Sequence, residues 1–282
     1  MVDCYMPDSL NEALQICNRC KTIPFAGGTD LMVLRSKQNG TFSGFEKPPL
    51  FLGHLSELKH LFRHKQNIHI GAGVTLNTLL DSEIIPQILK TILIRMASNP
   101  TRNLATIGGN ICNASPAGDT LTYLYAVDAT LVLRNTRGTR NISVADFITG
   151  PGETNIRQDE LLTEIIIPAN KFPVNYYKKV GTRKGLSLSK VSFLGLADIQ
   201  SGNIADIRIT FGAVAPRVIH SRKTEQMIVG KSHAEIQSVR DEIIREYSQL
   251  IQPIDDARST KTYRKKVSLR ILDYFIQNFI CG

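Results

Sequence analysis

The sequence predicts an α+β protein in two parts. At 282 residues the chain is too long for one small core and fits two or three compact units. Up to Pro168, short strands, glycine turns and helices alternate. Beyond a break bounded by Pro168 and Pro173, long strands come first and helices last. Strands followed by a run of helices is the order of a separate α+β unit.

Each element has its own signal. Ser9 followed by Glu12 is a capping-box pair. Leu10, Ala13, Leu14 and Cys17 then keep the i, i+3, i+4, i+7 spacing of an amphipathic helix. A short strand over 22–26 runs into Gly27-Gly28, and a second helix begins by Leu31. Pro48-Pro49 precedes a short buried strand at 50–52. Leu55, Leu58 and Leu61 predict a helix that leads to a strand over 67–70. Gly71-Ala72-Gly73 then turns into a helix from about Thr75. That turn is only a fragment of a Gly-x-Gly-x-x-Gly fingerprint, because Leu76 stands where the third glycine belongs. Ile85, Ile88, Leu89, Ile92, Leu93 and Met96 form the strongest helical stripe and read as core. A helix over 121–126, a hairpin of strands 130–134 and 139–144, and a strand over 162–167 complete the first part. The second part reads as strands over 176–180, 191–199 and 204–214, the last two joined by Ser201-Gly202-Asn203. Helices near 222–229, 233–250 and 258–280 close the chain.

Composition narrows the function classes. No apolar run reaches the roughly 18 residues of a membrane span, and the start Met1-Val2-Asp3-Cys4-Tyr5 has neither a basic region nor an apolar one. A cytoplasmic protein with no membrane span is expected. Five cysteines do not make a disulfide framework, and Cys17 and Cys20, inside a helical pattern without a second pair, read as structural. A net charge of +9 invites a nucleic-acid reading, but basic residues are spread among acids along the chain. The one cluster, Arg258, Lys261, Arg264, Lys265, Lys266 and Arg270, reads equally as a solvated helix face or a docking surface for an acidic partner subunit. No nucleic-acid partner is expected. His60 and His64, four apart on a predicted helix, lack a third ligand, so no metal is expected. There is no Gly-x-Ser-x-Gly elbow and no Walker A lysine. With no catalytic acid or base readable, any chemistry falls to a cofactor.

The most distinctive stretch runs from Thr106 to Asp119, with two adjacent glycines, two asparagines, a serine, a proline and an aspartate. Glycine lets a backbone approach a ligand closely, and successive free N–H groups make an anion-binding concavity. A second diglycine, Gly27-Gly28, is followed by Thr29 and a helix start. Two such loops could grip a diphosphate from both sides. On spacing alone they read equally well as structural turns.

Two strings carry a resemblance to a known family: Ala26-Gly27-Gly28-Thr29-Asp30-Leu31, and Arg102-Asn103-Leu104-Ala105-Thr106-Ile107-Gly108-Gly109-Asn110-Ile111. Further matches are Ile70-Gly71-Ala72-Gly73-Val74-Thr75, Phe147-Ile148-Thr149-Gly150-Pro151-Gly152 with Asp159-Glu160-Leu161-Leu162, Lys179-Val180-Gly181-Thr182-Arg183 and Phe211-Gly212-Ala213-Val214-Ala215-Pro216. The chain resembles, over nearly its whole length, the FAD-binding medium subunits of molybdenum hydroxylases of the xanthine, nicotinate and carbon monoxide dehydrogenase type. The resemblance implies a two-part FAD-binding domain of the PCMH/vanillyl-alcohol-oxidase-like kind over 1–168, with subdomains of about 1–53 and 54–168. A smaller α+β C-terminal domain over 173–282 follows. It further implies that Phe25, Ala26, Gly27, Gly28, Thr29, Asp30 and Leu31, with Thr106, Ile107, Gly108, Gly109 and Asn110, hold the FAD diphosphate. Asp119 would hydrogen-bond the adenosine half. Leu162 and Lys179 fall where the family places further flavin contacts, although Leu162 reads equally as strand core. The implied partners are a large subunit with a molybdopterin cofactor and a small subunit with [2Fe–2S] clusters, and NAD⁺ is the common electron acceptor. A xanthine dehydrogenase-like complex is the first expectation. A nicotinate, aldehyde or carbon monoxide dehydrogenase, and a non-catalytic nucleotide-binding scaffold, are the alternatives.

Overall fold

The computed structural model describes residues 4–36, 44–170, 172–183 and 185–281. Met1–Asp3, part of the leader reading, and Lys171, inside the break at 168–173, lie outside the described residues. The chain divides into two compact units. The first holds Met1–Ile85, Ala97–Ala114 and Ala129–Pro168, and the second Pro86–Met96, Ser115–Asp128 and Ala169–Gly282.

Helix α1 (Leu10–Arg19) starts as its cap dictates. The Ser9 hydroxyl accepts from the Glu12 N–H, and the Glu12 carboxylate accepts from the Asp8 N–H at 2.7 Å. Strand β1 (Ile23–Phe25), helix α2 (Thr29–Arg35) and strand β2 (Pro49–Phe51) follow, with β1 and β2 paired in parallel. Next come β3 (Leu61–His64), β4 (Asn67–Gly71), α3 (Leu76–Asp81), α4 (Gln87–Leu93), α5 (Asn99–Leu104), α6 (Ile107–Cys112) and α7 (Asp119–Ala126). Strands β5 (Thr130–Asn135) and β6 (Gly138–Ser143), helix α8 (Val144–Phe147), and strands β7 (Ile148–Gly150), β8 (Glu153–Thr154) and β9 (Leu161–Pro168) complete the elements up to Pro168. In the first unit β3, β4, β9, β5 and β6 form one antiparallel sheet in that order. A separate core gathers Leu10, Ala13, Leu14 and Cys17 of α1 against Leu50, Leu52, Leu55, Leu58 and Leu161.

Three local expectations are corrected. Leu55, Leu58 and Leu61 do not share a helix: a single 3-10 turn (Ser56–Leu58) leads into β3, whose edge bonds to β4 outweigh one more helical turn. His60 and His64 therefore do not face each other on a helix; His60 Nε2 and His69 Nδ1 instead meet the Glu164 carboxylate at 3.5 and 2.6 Å. The polar run from Thr106 is not one long loop, because its first part winds into α6 under a Thr106 cap. Cys17 is buried in α1, and the Cys20 thiol donates to the Ile16 carbonyl at 3.3 Å.

The second unit is organised by β11. Strands β10 (Val174–Val180), β11 (Val191–Gln200), β12 (Asn203–Gly212) and β13 (Ile219–His220) form an antiparallel sheet. Helices α9 (Arg222–Gln226), α10 (His233–Leu250) and α11 (Lys261–Phe275) follow. Residues 191–197 are buried without a break, so both faces of β11 are covered. Helices α10 and α11 supply one cover: Phe193, Phe211, Tyr247 and Phe275 pack edge to face or tilted at 5.0–5.5 Å. Gly195 leaves room for the Phe275 ring, which a Cβ there would meet at 2.6 Å. Helix α7 supplies the other, with the Thr210 hydroxyl donating to the Thr122 carbonyl at 2.9 Å.

Arg264 of the basic cluster is not solvated. It is 4% exposed and donates to the carbonyls of Lys190 and Ala213 and to the Asp256 carboxylate at 2.6 Å. Burial works against the Asp256 charge, but the N–H of Arg258, the Arg264 guanidinium and the N–H of Ser259 hold its carboxyl well below the usual range. Arg264→Met should cost about 2–4 kcal/mol at neutral pH, measured by urea unfolding. Because the folded-state value is depressed, the Asp256 share is present above about pH 4 and disappears as pH falls below it.

Candidate cofactor-binding site

The sequence dictates a tight turn after β1. Gly28 takes a left-handed φ of 70°, and the Phe25 ring lies where a Gly28 side chain would begin. A Cβ on Gly27 would overlap the Leu104 carbonyl oxygen, so only glycine lets this turn reach α5. Helix α2 opens with no side-chain cap. Among the described residues, the N–H groups from Ala26 to Leu31 have no hydrogen-bond acceptor; the first bonded one is Met32, to the Gly28 carbonyl. Six successive donors, three of them at a helix N-terminus, face a space that needs an acceptor.

That space is a cavity of about 450 Å³ within the first unit, well inside the usual range for a small-molecule site. Ala26, Gly27, Gly28, Thr29, Asp30 and Leu31 line it together with Thr106, Gly108, Gly109 and Asn110. Leu52, Leu58, Ile156, Leu161 and Leu162 add apolar side chains to the lining. Among the described residues the lining holds no Lys, Arg or His, and Asp30 is its one carboxylate. The arrangement suits a ligand with an anionic linker held by backbone dipoles and a flat apolar portion held by leucines.

The second diglycine plays a different part from the first. The N–H groups of Ile107 and Gly108 already bond to the carbonyls of Val74 and Ala72 at 3.0 Å, and that of Gly109 to the Thr106 hydroxyl at 3.1 Å. A Cβ on Gly108 would meet Ala72 at 2.6 Å, whereas one on Gly109 would meet only the Thr106 hydroxyl, at 2.9 Å. This loop is a close-fitting wall; the free donors belong to the first. Two expected residues lie behind the lining: Phe25 under Gly28, and Ile107 in the core at 1% exposure.

Sequence reasoning missed Gly152, Thr154 and Ile156 around the β7–β8 turn, and Ala72, Gly73, Cys112 and Asn113. Ala72-Gly73 carried a signal as a glycine turn after a strand, Gly152 as the end of the Phe147–Gly152 string, and Cys112 and Asn113 as part of the stretch from Thr106 to Asp119. Part of Cys112 reaches solvent, while burial around its thiol pushes that group up to about 12.

Asp119 and Lys179 belong to the second unit and meet each other. Asp119, 3% exposed, accepts from Lys179 Nζ and from the Ser189 hydroxyl, both at 2.6 Å. Lys179 also donates to the Arg95 carbonyl at 3.0 Å. Burial, then the charge of Asp119, push the nearby Tyr177 phenol well above its ordinary value.

Residues 1–170 match the family described as the FAD binding domain in molybdopterin dehydrogenase. The chain belongs to that family. Residues 175–279 match the carbon monoxide dehydrogenase flavoprotein C-terminal domain. Similar proteins include the glyceraldehyde dehydrogenase medium chain of Sulfolobus acidocaldarius, 29% identical with 92% of each chain covered. The nicotinate dehydrogenase FAD-subunit of Eubacterium barkeri is 28% identical over 80% of this chain and 79% of its own. Carbon monoxide dehydrogenase from Hydrogenophaga pseudoflava has a chain of the same fold, with a TM-score of 0.88 at 21% identity, covering 99% of this chain and 96% of that one. This flavoprotein is therefore a subunit of the molybdenum hydroxylase family of oxidoreductases and carries its FAD-binding domain. Among the described residues no helix is long and apolar enough to cross a membrane, and no group of three or more His, Cys, Asp or Glu is placed to hold a metal.

Gly109→Val should leave the fold intact but lower FAD affinity about tenfold or more, read by titrating flavin into the stripped protein. Asp119→Ala should destabilise by about 3–5 kcal/mol, because it strands a buried ammonium. Asp119→Ala combined with Lys179→Met should cost clearly less than the two single changes added together, in urea unfolding.

Proposed function

We propose that the protein is the electron-transfer subunit of a molybdenum hydroxylase complex in the cytoplasm. In this reading residues 1–168 hold FAD, in subdomains of about 1–53 and 54–168, and 173–282 form the C-terminal domain. FAD, when bound, supplies the redox chemistry, receiving electrons from [2Fe–2S] and molybdenum partner subunits and passing them to NAD⁺ or another acceptor. The observation that carries the reading is the run of unsatisfied N–H groups from Ala26 to Leu31 in the lining of a cavity that leucines also line, in a chain of this family.

The residues have separable tasks. Ala26–Leu31 bind the diphosphate through backbone dipoles, each charge-assisted bond contributing about 1.5–3 kcal/mol. Thr106, Gly108, Gly109 and Asn110 form the wall that fixes the linker in place. Leu162, with Leu161 and Leu58, packs on the flat portion and excludes water. Asp119 and Lys179, further contacts that the resemblance implies, bond to each other within the second unit. None of them acts as an acid or base, and the choice of substrate lies with the partner that carries molybdenum.

A xanthine dehydrogenase-like complex is favoured; the similar chains whose names specify glyceraldehyde, nicotinate and carbon monoxide keep an aldehyde, nicotinate or carbon monoxide dehydrogenase as the alternative. The complex purified from its host should be yellow, contain two further subunits, and bleach under anaerobic NADH. A colourless complex would leave only the scaffold reading, and a flavin that NADH does not reduce would point to another acceptor.

A further inference from the structure

One groove lies wholly in the second unit, between the end of α10 and the start of α11, and shares no residue with the cofactor cavity. It is open and about 580 Å³ in volume. Its floor is apolar: Ile251 is buried, and Pro253 and Leu269 are half-buried. Lys261 and Lys265 stand one helical turn apart along its α11 side, with Lys266 beside them.

Among the described residues, none of these three ammonium groups lies within ion-pair distance of a carboxylate. The nearest acids in the chain are already occupied. Asp256 binds Arg258 at 2.9 Å and Arg264 at 2.6 Å, and Asp255 caps α11 by accepting from the Lys261 N–H at 2.5 Å. Some other cations of this unit do have partners: Arg222 pairs with Glu225, Arg240 with Asp273, and Lys179 with Asp119. Flanking the floor in the chain, Leu250 is 42% and Ile254 72% exposed. Free cations around a recessed apolar floor, with further apolar side chains at hand, are the complement of a surface that offers carboxylates and aliphatic groups together.

We propose that this groove docks an acidic, amphipathic segment of another polypeptide. Its aliphatic side chains lie on Ile251, Pro253 and Leu269. Its carboxylates, spaced about one helical turn apart, meet Lys261 and Lys265. A bilayer takes up apolar side chains that project from a helix face, not a recessed floor, and a nucleic-acid strand brings phosphates but nothing aliphatic for that floor. The inference rests on the proposed function in one respect: the segment belongs to a subunit of the same complex.

The test uses the native complex treated with a zero-length carbodiimide, together with two full-chain variants made in the same host. One carries Lys261→Glu, Lys265→Glu and Lys266→Glu, the other the three corresponding arginine replacements. Flavin content is read from the absorbance of every sample. Lys261, Lys265 or Lys266 should be linked to Asp or Glu of an associated subunit. The glutamate variant should bind that subunit about tenfold more weakly or worse, the arginine variant normally, and both should keep their flavin. Unchanged association of the glutamate variant overturns the proposal. So do cross-links confined to a second copy of this chain, or binding to phosphatidylserine vesicles or to single-stranded nucleic acid that vanishes in the glutamate variant while subunit association persists. A yellow protein that purifies with no other polypeptide also overturns it and leaves the cofactor reading standing. A colourless complex with the cross-links intact does the reverse.

Discussion

A side chain at Gly27 has nowhere to go. The Leu104 carbonyl occupies the place of its Cβ, and at Gly108 a Cβ would clash with the methyl group and carbonyl of Ala72. Gly71 repeats the constraint against the Leu58 carbonyl. These close approaches draw the β1–α2 turn, α6 and the end of β4 around one cavity, and its shape follows from the missing methyl groups more than from any side chain. Glycine costs conformational entropy on folding, and here that cost goes into walls no larger residue could form.

The same turn leaves a polar problem. An N–H kept from both protein acceptors and water costs about 1–3 kcal/mol. The residues from Ala26 to Gly28 are half-buried, so solvent reaches them and an anion can take its place. Among the described residues the lining has no basic side chain, and the backbone dipoles there, each modest, act together. Asp119 and Lys179 show the opposite strategy in the second unit, two full charges buried together and satisfied by each other and by Ser189. Backbone donors hold a ligand in a shape-specific way; a buried ion pair holds a fold in register.

Much of this was legible in the sequence, for particular reasons. Ser9 and Glu12, the leucine stripe of α1, and the Ser201-Gly202-Asn203 turn are local signals, and each produced its element. The two diglycines were legible as a pair because their neighbours spell out a family motif, and the cavity does bring them together. Their division of labour was not legible, since whether a glycine N–H is free depends on which distant carbonyl, here Val74 or Ala72, lies within reach. Leu55, Leu58 and Leu61 misled because i, i+3 spacing also fits a 3-10 turn entering a strand. Arg264 looked like surface charge until β11 and the Asp256 turn enclosed it. Leu162, equally core or contact in sequence, proves to be both a strand residue and a cavity wall.

The most direct measurement is amide hydrogen exchange on the flavin-free protein, residue by residue, before and after FAD is added. Ala26–Leu31 should exchange fast without FAD and slow markedly with it, whereas Gly108 and Gly109, already bonded, should be slow in both states. Fast exchange at Ala26–Leu31 that persists when FAD is bound would contradict the claim that these backbone groups hold the diphosphate.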